Sequence, residues 1–249
     1  MIFTTRLEDF KKLVNVLAET RDDVNFVFKP DELVITAVDH ANVVLFNATI
    51  PKTAFREYDV DAEFNAVIDV AMLDRVIKKL RGNFITLVEI VERREEAIRG
   101  IKQDNVTALR AVFECVDTCF SVNVYNAIKL ARIPHIEYKS SFVIGMKDLL
   151  NDVDTVCSFC DNFIISGTQL IGSNVIIDLS KKSMDVVMEN DVPRSMFSGE
   201  ILHGKEMKAL GRLVKVCKVE IGNDFPIRIS GTGEHAERYT LMCAPRIEG

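Results

Sequence analysis

The residues most able to do chemistry are six cysteines, at positions 115, 119, 157, 160, 217 and 243. Cys157 and Cys160 have the Cys-x-x-Cys spacing of a zinc or redox pair, and Cys115-x-x-x-Cys119 adds two thiols. Both runs lie in apolar sequence, and no second Cys-x-x-Cys or His-x-x-x-His completes a tetrahedral site. In a chain this long, with no leader-like segment in front of it, that pattern predicts reduced core thiols and no metal. His40, His135, His203 and His235 are scattered without ligand spacing. No phosphate-cradling G-x-x-x-x-G-K-[ST], nucleophile elbow G-x-S-x-G or H-E-x-x-H is present. Gly231-Thr232-Gly233 lies between strand-like runs and reads as a hairpin turn. Neither a cofactor nor catalysis is predicted.

What remains is electrostatic. The cations Lys11, Lys12, Arg75, Lys78, Lys79, Lys147, Lys208 and Arg212 recur at helical spacing in four separate segments. The whole chain opposes them, with 31 Lys and Arg against 37 Asp and Glu, a formal net charge of −6. That balance excludes a generally basic nucleic-acid binder. Cations that serve a polyanion must then be gathered on one surface.

Four helices are needed to present them. Apolar residues at i, i+3, i+4 and i+7 mark a helix face. Phe10, Leu13, Val14 and Leu17 fit this template, as do Leu73, Val76, Ile77 and Leu80. Met146, Leu149, Leu150 and Val153 fit it too, and Met207, Leu210, Gly211 and Val214 fit if Gly211 marks a close backbone approach. At ~100° per residue, the outward positions are Lys11, Lys12, Asn15 and Val16 in the first helix, and Asp74, Arg75, Lys78 and Lys79 in the second. In the third they are Lys147, Asp148, Asn151 and Asp152, and in the fourth Lys208, Ala209, Arg212 and Leu213. The third helix is the weak member, because its acids outnumber its lysine. Residues 24–28, 33–38, 43–50, 84–91, 162–166, 175–179 and 216–221 read as strands from alternation and β-branching. Residues 96–103 and 106–114 read as two more.

The first and third helices, and the second and fourth, stand about 135 residues apart, the mark of an internal duplication. Each half is a helix, strands, a second helix and more strands. The predicted class is α+β, with helices on one face of antiparallel sheets. At 48% apolar residues the chain has ample core material. No apolar run approaches ~18 residues and no charged, apolar leader opens the sequence, so neither membrane spanning nor secretion is expected.

A duplicated α+β chain of this size with basic helix faces resembles a DNA sliding clamp. The ending Cys243-Ala244-Pro245-Arg246-Ile247-Glu248-Gly249 is similar to the Leu-Ala-Pro-Lys/Arg-Ile/Val-Glu ending of the proliferating cell nuclear antigen family. Leu130-Ala131-Arg132-Ile133-Pro134-His135-Ile136-Glu137-Tyr138 resembles that family's interdomain connecting loop. Phe10-Lys11-Lys12-Leu13, Val38-Asp39 with Asn42-Val43-Val44-Leu45, and Ile221-Gly222-Asn223-Asp224-Phe225-Pro226 also match, in the family's order.

The resemblance implies two clamp domains, residues 1–121 and 139–249, joined by a connecting loop over 122–138. It implies three chains closing head to tail into a ring whose helices line the hole, with residues 106–114 as the subunit-contact edge paired with residues 174–179 of the neighbouring chain. Lys11, Lys12, Arg75, Lys78, Lys79, Lys147, Lys208 and Arg212 would face duplex DNA without reading its sequence. Val38, Val43, Leu45, Ile133, Pro134, Tyr138, Pro226, Met242, Ala244 and Pro245 map to a pocket for peptide motifs of DNA polymerase, flap endonuclease, ligase and clamp loader. The implied function is a DNA polymerase processivity factor working inside the cell on DNA, in an archaeal cytoplasm or a eukaryotic nucleus. Where relatives carry basic residues on the third helix, this chain has Asn151 and Asp154, which raises the alternative of a subunit of a heteromeric clamp for repair or checkpoint roles.

Overall fold

The structure, a computed structural model, describes residues 2–94, 107–125, 133–188 and 192–246. It divides into two compact units. The first takes Met1–Thr36 and Thr49–Leu130, and the second takes Ala37–Ala48 and Ala131–Gly249.

The first part of the chain runs β1 (Phe3–Arg6), α1 (Leu7–Thr20), β2 (Asp23–Phe28), β3 (Glu32–Val38), β4 (Val44–Pro51), a 3-10 turn (Lys52–Ala54), β5 (Glu57–Tyr58), β6 (Phe64–Asp69), α2 (Val70–Ile77), β7 (Phe84–Arg94), β8 (Thr107–Cys115) and β9 (Thr118–Tyr125). The second part repeats the order with β10 (Ser140–Gly145), α3 (Met146–Cys157), β11 (Asn162–Ser166), β12 (Gln169–Ile171), β13 (Ile176–Asp178), β14 (Ser183–Val187), β15 (Arg194–Ser198), α4 (Gly199–Leu202), α5 (Lys205–Leu210), β16 (Val216–Ile221), β17 (Ile227–Thr232) and β18 (Arg238–Cys243). The duplication read from the helix spacing is therefore a repeat of the whole element order. Two differences stand out: a pair of short helices in the second part replaces a single one, and the 3-10 turn of the first part has no counterpart among the described residues of the second.

In the first unit the antiparallel order is β3-β2-β6-β9-β8-β7-β1-β5. α1 starts where Arg6 is still extended, and Glu8 and Asp9 in its first turn suit the positive end of the helix. It buries Leu7, Phe10, Leu13, Val14, Val16 and Leu17. α2 is capped by Asp69, whose carboxylate accepts from the Met72 amide at 2.7 Å. Its chain turns away at Gly82, where φ is +139°. Beneath the helices Phe3 meets Phe10 edge-on at 5.7 Å, and Phe28 stacks on Phe64 at 4.6 Å. The buried rings among these, Phe3, Phe10 and Phe28, each contribute ~2 kcal/mol.

In the second unit one sheet runs β14-β10-β16-β17-β18, with the first half of β4 beyond β18, and a smaller one runs β13-β12-β11-β15. α3 buries Met146, Leu149, Val153 and Val156. The fourth predicted helix is α5 alone, and it ends at Leu210. Gly211 is its C-terminal cap, and a Cβ there would stand 2.7 Å from Leu150 Cδ1, so the expected close approach is present as well.

Several expectations need correction. Val16 and Ala209, assigned to outward faces, are buried, and so is Asp152. A four-residue template samples only part of an apolar stripe, whereas α1 devotes nearly half its circumference to the core. The strand expected over 106–114 appears as β8, but it is not an edge. It pairs with β7 on one flank and β9 on the other. Among the described residues, β9 pairs beyond β8 through Val124 and Tyr125 alone, against Ile68 and Val67 of β6. The strand expected over 96–103 lies outside the described residues. Of the cysteines, Cys115, Cys217 and Cys243 are core thiols, and burial pushes Cys217 up to about 12. Cys119 is exposed because it lies on the open face of the β8–β9 hairpin, and Cys157 and Cys160 are half-buried where α3 ends.

Candidate functional site

The second unit carries an apolar cavity of about 230 Å³, lined by Val38, Asn42, Val43, Leu45, Pro134, Pro226, Met242 and Ala244. Strand alternation explains the lining. In β4, Val44 and Phe46 are buried in the core, so Leu45 between them faces the opposite side of the sheet. In β18, Leu241 and Cys243 point inward, which turns Met242 and the following Ala244 to the same outer side. The turn between β3 and β4 is shaped by Asp39. Its carboxylate accepts from the amides of Val43 at 2.7 Å and Val44 at 2.9 Å, while its own amide donates to the Val44 carbonyl at 3.0 Å. Asn42 takes a left-handed φ of +57° to make that turn, and Val43 is thereby aimed into the cavity. The Ala244 amide donates to the Val43 carbonyl at 2.8 Å, tying the end of β18 to this turn.

Residues 133–139 form no helix and join no sheet. Pro134 reaches the cavity rim, and Ile133 beside it is 46% exposed. Tyr138 anchors the far end of this segment. Its phenol donates to the Pro226 carbonyl at 2.6 Å, and the Arg228 guanidinium lies 4.5 Å above its ring. Desolvation pushes the Tyr138 phenol up to about 12, although Arg228 pulls the other way. Arg228 is itself held by buried Glu220, Nε to Oε2 at 2.5 Å, and Lys218 reaches the other carboxylate oxygen at 3.0 Å. Burial alone would raise the Glu220 pKa, but these two cations more than offset it and hold the carboxyl below its ordinary value.

Seven of the ten expected pocket residues thus come together around the cavity: Val38, Val43, Leu45, Pro134, Pro226, Met242 and Ala244. Tyr138 acts from behind Pro226, and Ile133 and Pro245 are outside the lining. Asn42 was missed. Its signal was the Asp39-x-x-Asn42 turn, where asparagine tolerates the left-handed conformation. The cavity is apolar and open, a shape for a few inserted aliphatic or aromatic side chains and not for bond-breaking chemistry.

The expected cations all lie on helices or just beyond their ends. In the first unit Lys11 is only 22% exposed. It donates to the Leu80 carbonyl and pairs with Glu8, both at 3.0 Å. Lys12, 44% exposed, pairs with Asp9 at 3.4 Å. On α2 the Arg75 Nε donates to the Ala71 carbonyl at 3.2 Å. Lys78 pairs with Asp74 at 2.5 Å, and Lys79 is exposed. In the second unit Lys147, Lys208 and Arg212 are exposed.

The acids of the third helix are committed elsewhere. Asp152 is buried against Lys182, which reaches its two oxygens at 2.7 and 2.8 Å. Asp154 takes the His203 imidazole, Nδ1 to Oδ1 at 2.7 Å. Asp148 sits in the first turn of α3, folded over Gly145, where a carboxylate suits the helix dipole. Among the described residues no three His, Cys, Asp or Glu side chains gather as a metal-holding group, and no helix is long and apolar enough to cross a membrane.

Comparison with known proteins gives a consistent set of relatives. Residues 3–117 match the family described as proliferating cell nuclear antigen, N-terminal domain. The chain is 26% identical to the DNA polymerase sliding clamp of Methanococcus maripaludis, over 98% of each chain. Its fold superposes on A. fulgidus PCNA bound to the C-terminal region of FEN-1 with a TM-score of 0.80, over 100% of both chains at 19% identity. It also superposes on the PCNA2–PCNA3 complex of Sulfolobus tokodaii with a TM-score of 0.76, over 100% of both chains at 16% identity.

Proposed function

We propose that the chain, which resembles the proliferating cell nuclear antigen family over residues 3–117 and archaeal DNA polymerase sliding clamps over nearly its whole length, is a sliding clamp of that family and a ring-forming processivity factor for DNA polymerase. Three chains would close around duplex DNA and tether polymerases, nucleases and ligases to it. The observation that carries the reading is the repeated element order, which puts cations on helices of both units of a chain whose net charge is −6. A ring that must slide needs phosphate attraction along its inner surface and no base readout. An acidic exterior limits adventitious binding from outside. Lys11, Lys12, Arg75, Lys78, Lys79, Lys147, Lys208 and Arg212 are the proposed DNA-facing set.

The cavity over β4 and β18 is the proposed docking site for partner peptides that insert aliphatic and aromatic anchors. Residues 133–138 lie along its rim and would pair with the flanks of such a peptide. Domains over 1–121 and 139–249 with a connector between them fit this arrangement. The protein's role is to hold other enzymes on DNA, with no chemical step of its own, and it works wherever the cell keeps its DNA. The heteromeric alternative loses part of its motive, because Asp154 of α3 is engaged by His203.

Solution mass is the direct test, with three chain masses expected. A monomer at every concentration would overturn the ring. Loading onto circular and linear DNA separates encirclement from ordinary affinity: the clamp should stay on the circle and slide off the ends of the linear form.

A further inference from the structure

Lys208, on α5, and Asp154, on α3, do not touch each other. His203, which follows α4, stands between them, with Nδ1 2.7 Å from Asp154 Oδ1 and Nε2 2.9 Å from Lys208 Nζ. The chemistry of the two partners fixes the proton on this ring. A carboxylate can only accept, so Nδ1 must carry the hydrogen. An ammonium can only donate, so Nε2 must offer its lone pair. The imidazole in this arrangement is neutral.

We propose that His203 is a positioning residue for DNA contact, which holds Lys208 back while neutral and releases it when protonated. The proposal rests on the reading of Lys208 as DNA-facing. With a neutral ring the three groups sum to zero charge, and Lys208 is turned onto the imidazole. A second proton on the ring replaces the Nε2 lone pair with an N–H directed at an ammonium. The hydrogen bond is lost, the trio carries +1, and Lys208 swings out to solvent. The other charged or titratable groups on the elements around the ring are Lys147, Asp148, Asp152 and Cys157 from α3, Glu200 from α4, and Lys205 and Glu206 from α5. β15, which packs on α4, brings Arg194 at its far end. Asp154 is 60% exposed and His203 37%, so the effect is a modest one, tuned by salt.

The test is duplex binding by the full-length protein at about pH 8 and about pH 6, across the range in which imidazoles take up protons. Wild type should bind about three- to tenfold more tightly at the lower pH, the gain of roughly one more phosphate contact. His203→Gln, which keeps a polar side chain but cannot be charged, should lose that increment. Nitrogen NMR of the ring at the higher pH should report the Nδ1–H form. Equal pH dependence in wild type and variant, or an Nε2–H ring, overturns the proposal. Duplex binding by neither protein at either pH would overturn the helix-face reading and this proposal with it.

Discussion

The Lys11 ammonium, on α1, donates at 3.0 Å to the carbonyl of Leu80, which lies just past the end of α2. A lysine selected only for its charge would be left mobile in water. Lys11 instead satisfies a carbonyl that the end of a helix leaves unpaired, and it joins the two helices of its unit.

Lys11→Met is therefore expected to cost about 1 kcal/mol in urea unfolding, the worth of one charge-assisted hydrogen bond in a partly exposed setting. Lys12→Met, whose partner Asp9 is one turn away on the same helix, should change stability by less than about 0.5 kcal/mol. Both should weaken duplex binding and flatten its salt dependence. Equal stability of the two variants would remove the tethering role.

A peptide of the form Gln-x-x-aliphatic-x-x-aromatic-aromatic should titrate onto wild type and lose about tenfold in affinity with Ile133→Ala, about 1.4 kcal/mol. Val43→Asp, which places a charge in the cavity wall, should abolish binding while leaving the fold intact, because Val43 lies in a surface turn. Calorimetry reads both. Unchanged affinity in both variants would move the docking site elsewhere.

Acid stability should depend on Glu220. Its pKa is lowered on folding, so its contribution is full above the ordinary value of 4.5 and is lost as pH falls through the folded-state value. Melting temperatures measured below pH 4.5 should drop less steeply in Glu220→Gln than in wild type. The alkaline side has the opposite sign. Burial raises the phenols of Tyr58 and Tyr138 from 10.0 to about 12, so stability they confer below pH 10 is lost as pH rises through that interval. Tyr138→Phe should blunt the alkaline loss.

Val116 turns the β8–β9 hairpin with φ at +53°, a conformation that β-branched residues resist, and its side chain is 80% exposed. Val116→Asn or Val116→Gly is expected to stabilise the protein by about 1 kcal/mol, since either residue enters that region more easily. Denaturant midpoints that fall with both substitutions would show that the valine is not strained.

Much of this architecture was legible in the sequence because duplication repeats a pattern. Two copies of each helix template at a fixed offset are stronger than any single one, and strands such as Asn162–Ser166 and Val216–Ile221 were read to their ends. What was hidden depends on partners far along the chain. Nothing adjacent to Asp152 says that Lys182 will cover it, and nothing near Asp154 points to His203. The edge assignment at β8 failed for the same reason. An edge is defined by what does not pair, and β9, the strand that covers β8, was not among the strands read from the sequence. At the pocket, period-two alternation carried Leu45 and Met242, while Asn42 depended on a turn conformation that only Asp39 and the backbone explain.

The segment 37–48 belongs with the second unit although the chain has yet to build most of the first when it is made. Four of the eight residues around the cavity come from this segment, and two more come from the last few residues described. On the ribosome, Val43 must wait for Ala244 before its wall can close. Nascent chains should thus be unable to capture a partner peptide until residues 242–244 have been made, and a fragment beginning at the connector would carry half a binding site. The proposed docking site therefore needs residues 242–244 as well as residues 38–45, two stretches made at widely separated times.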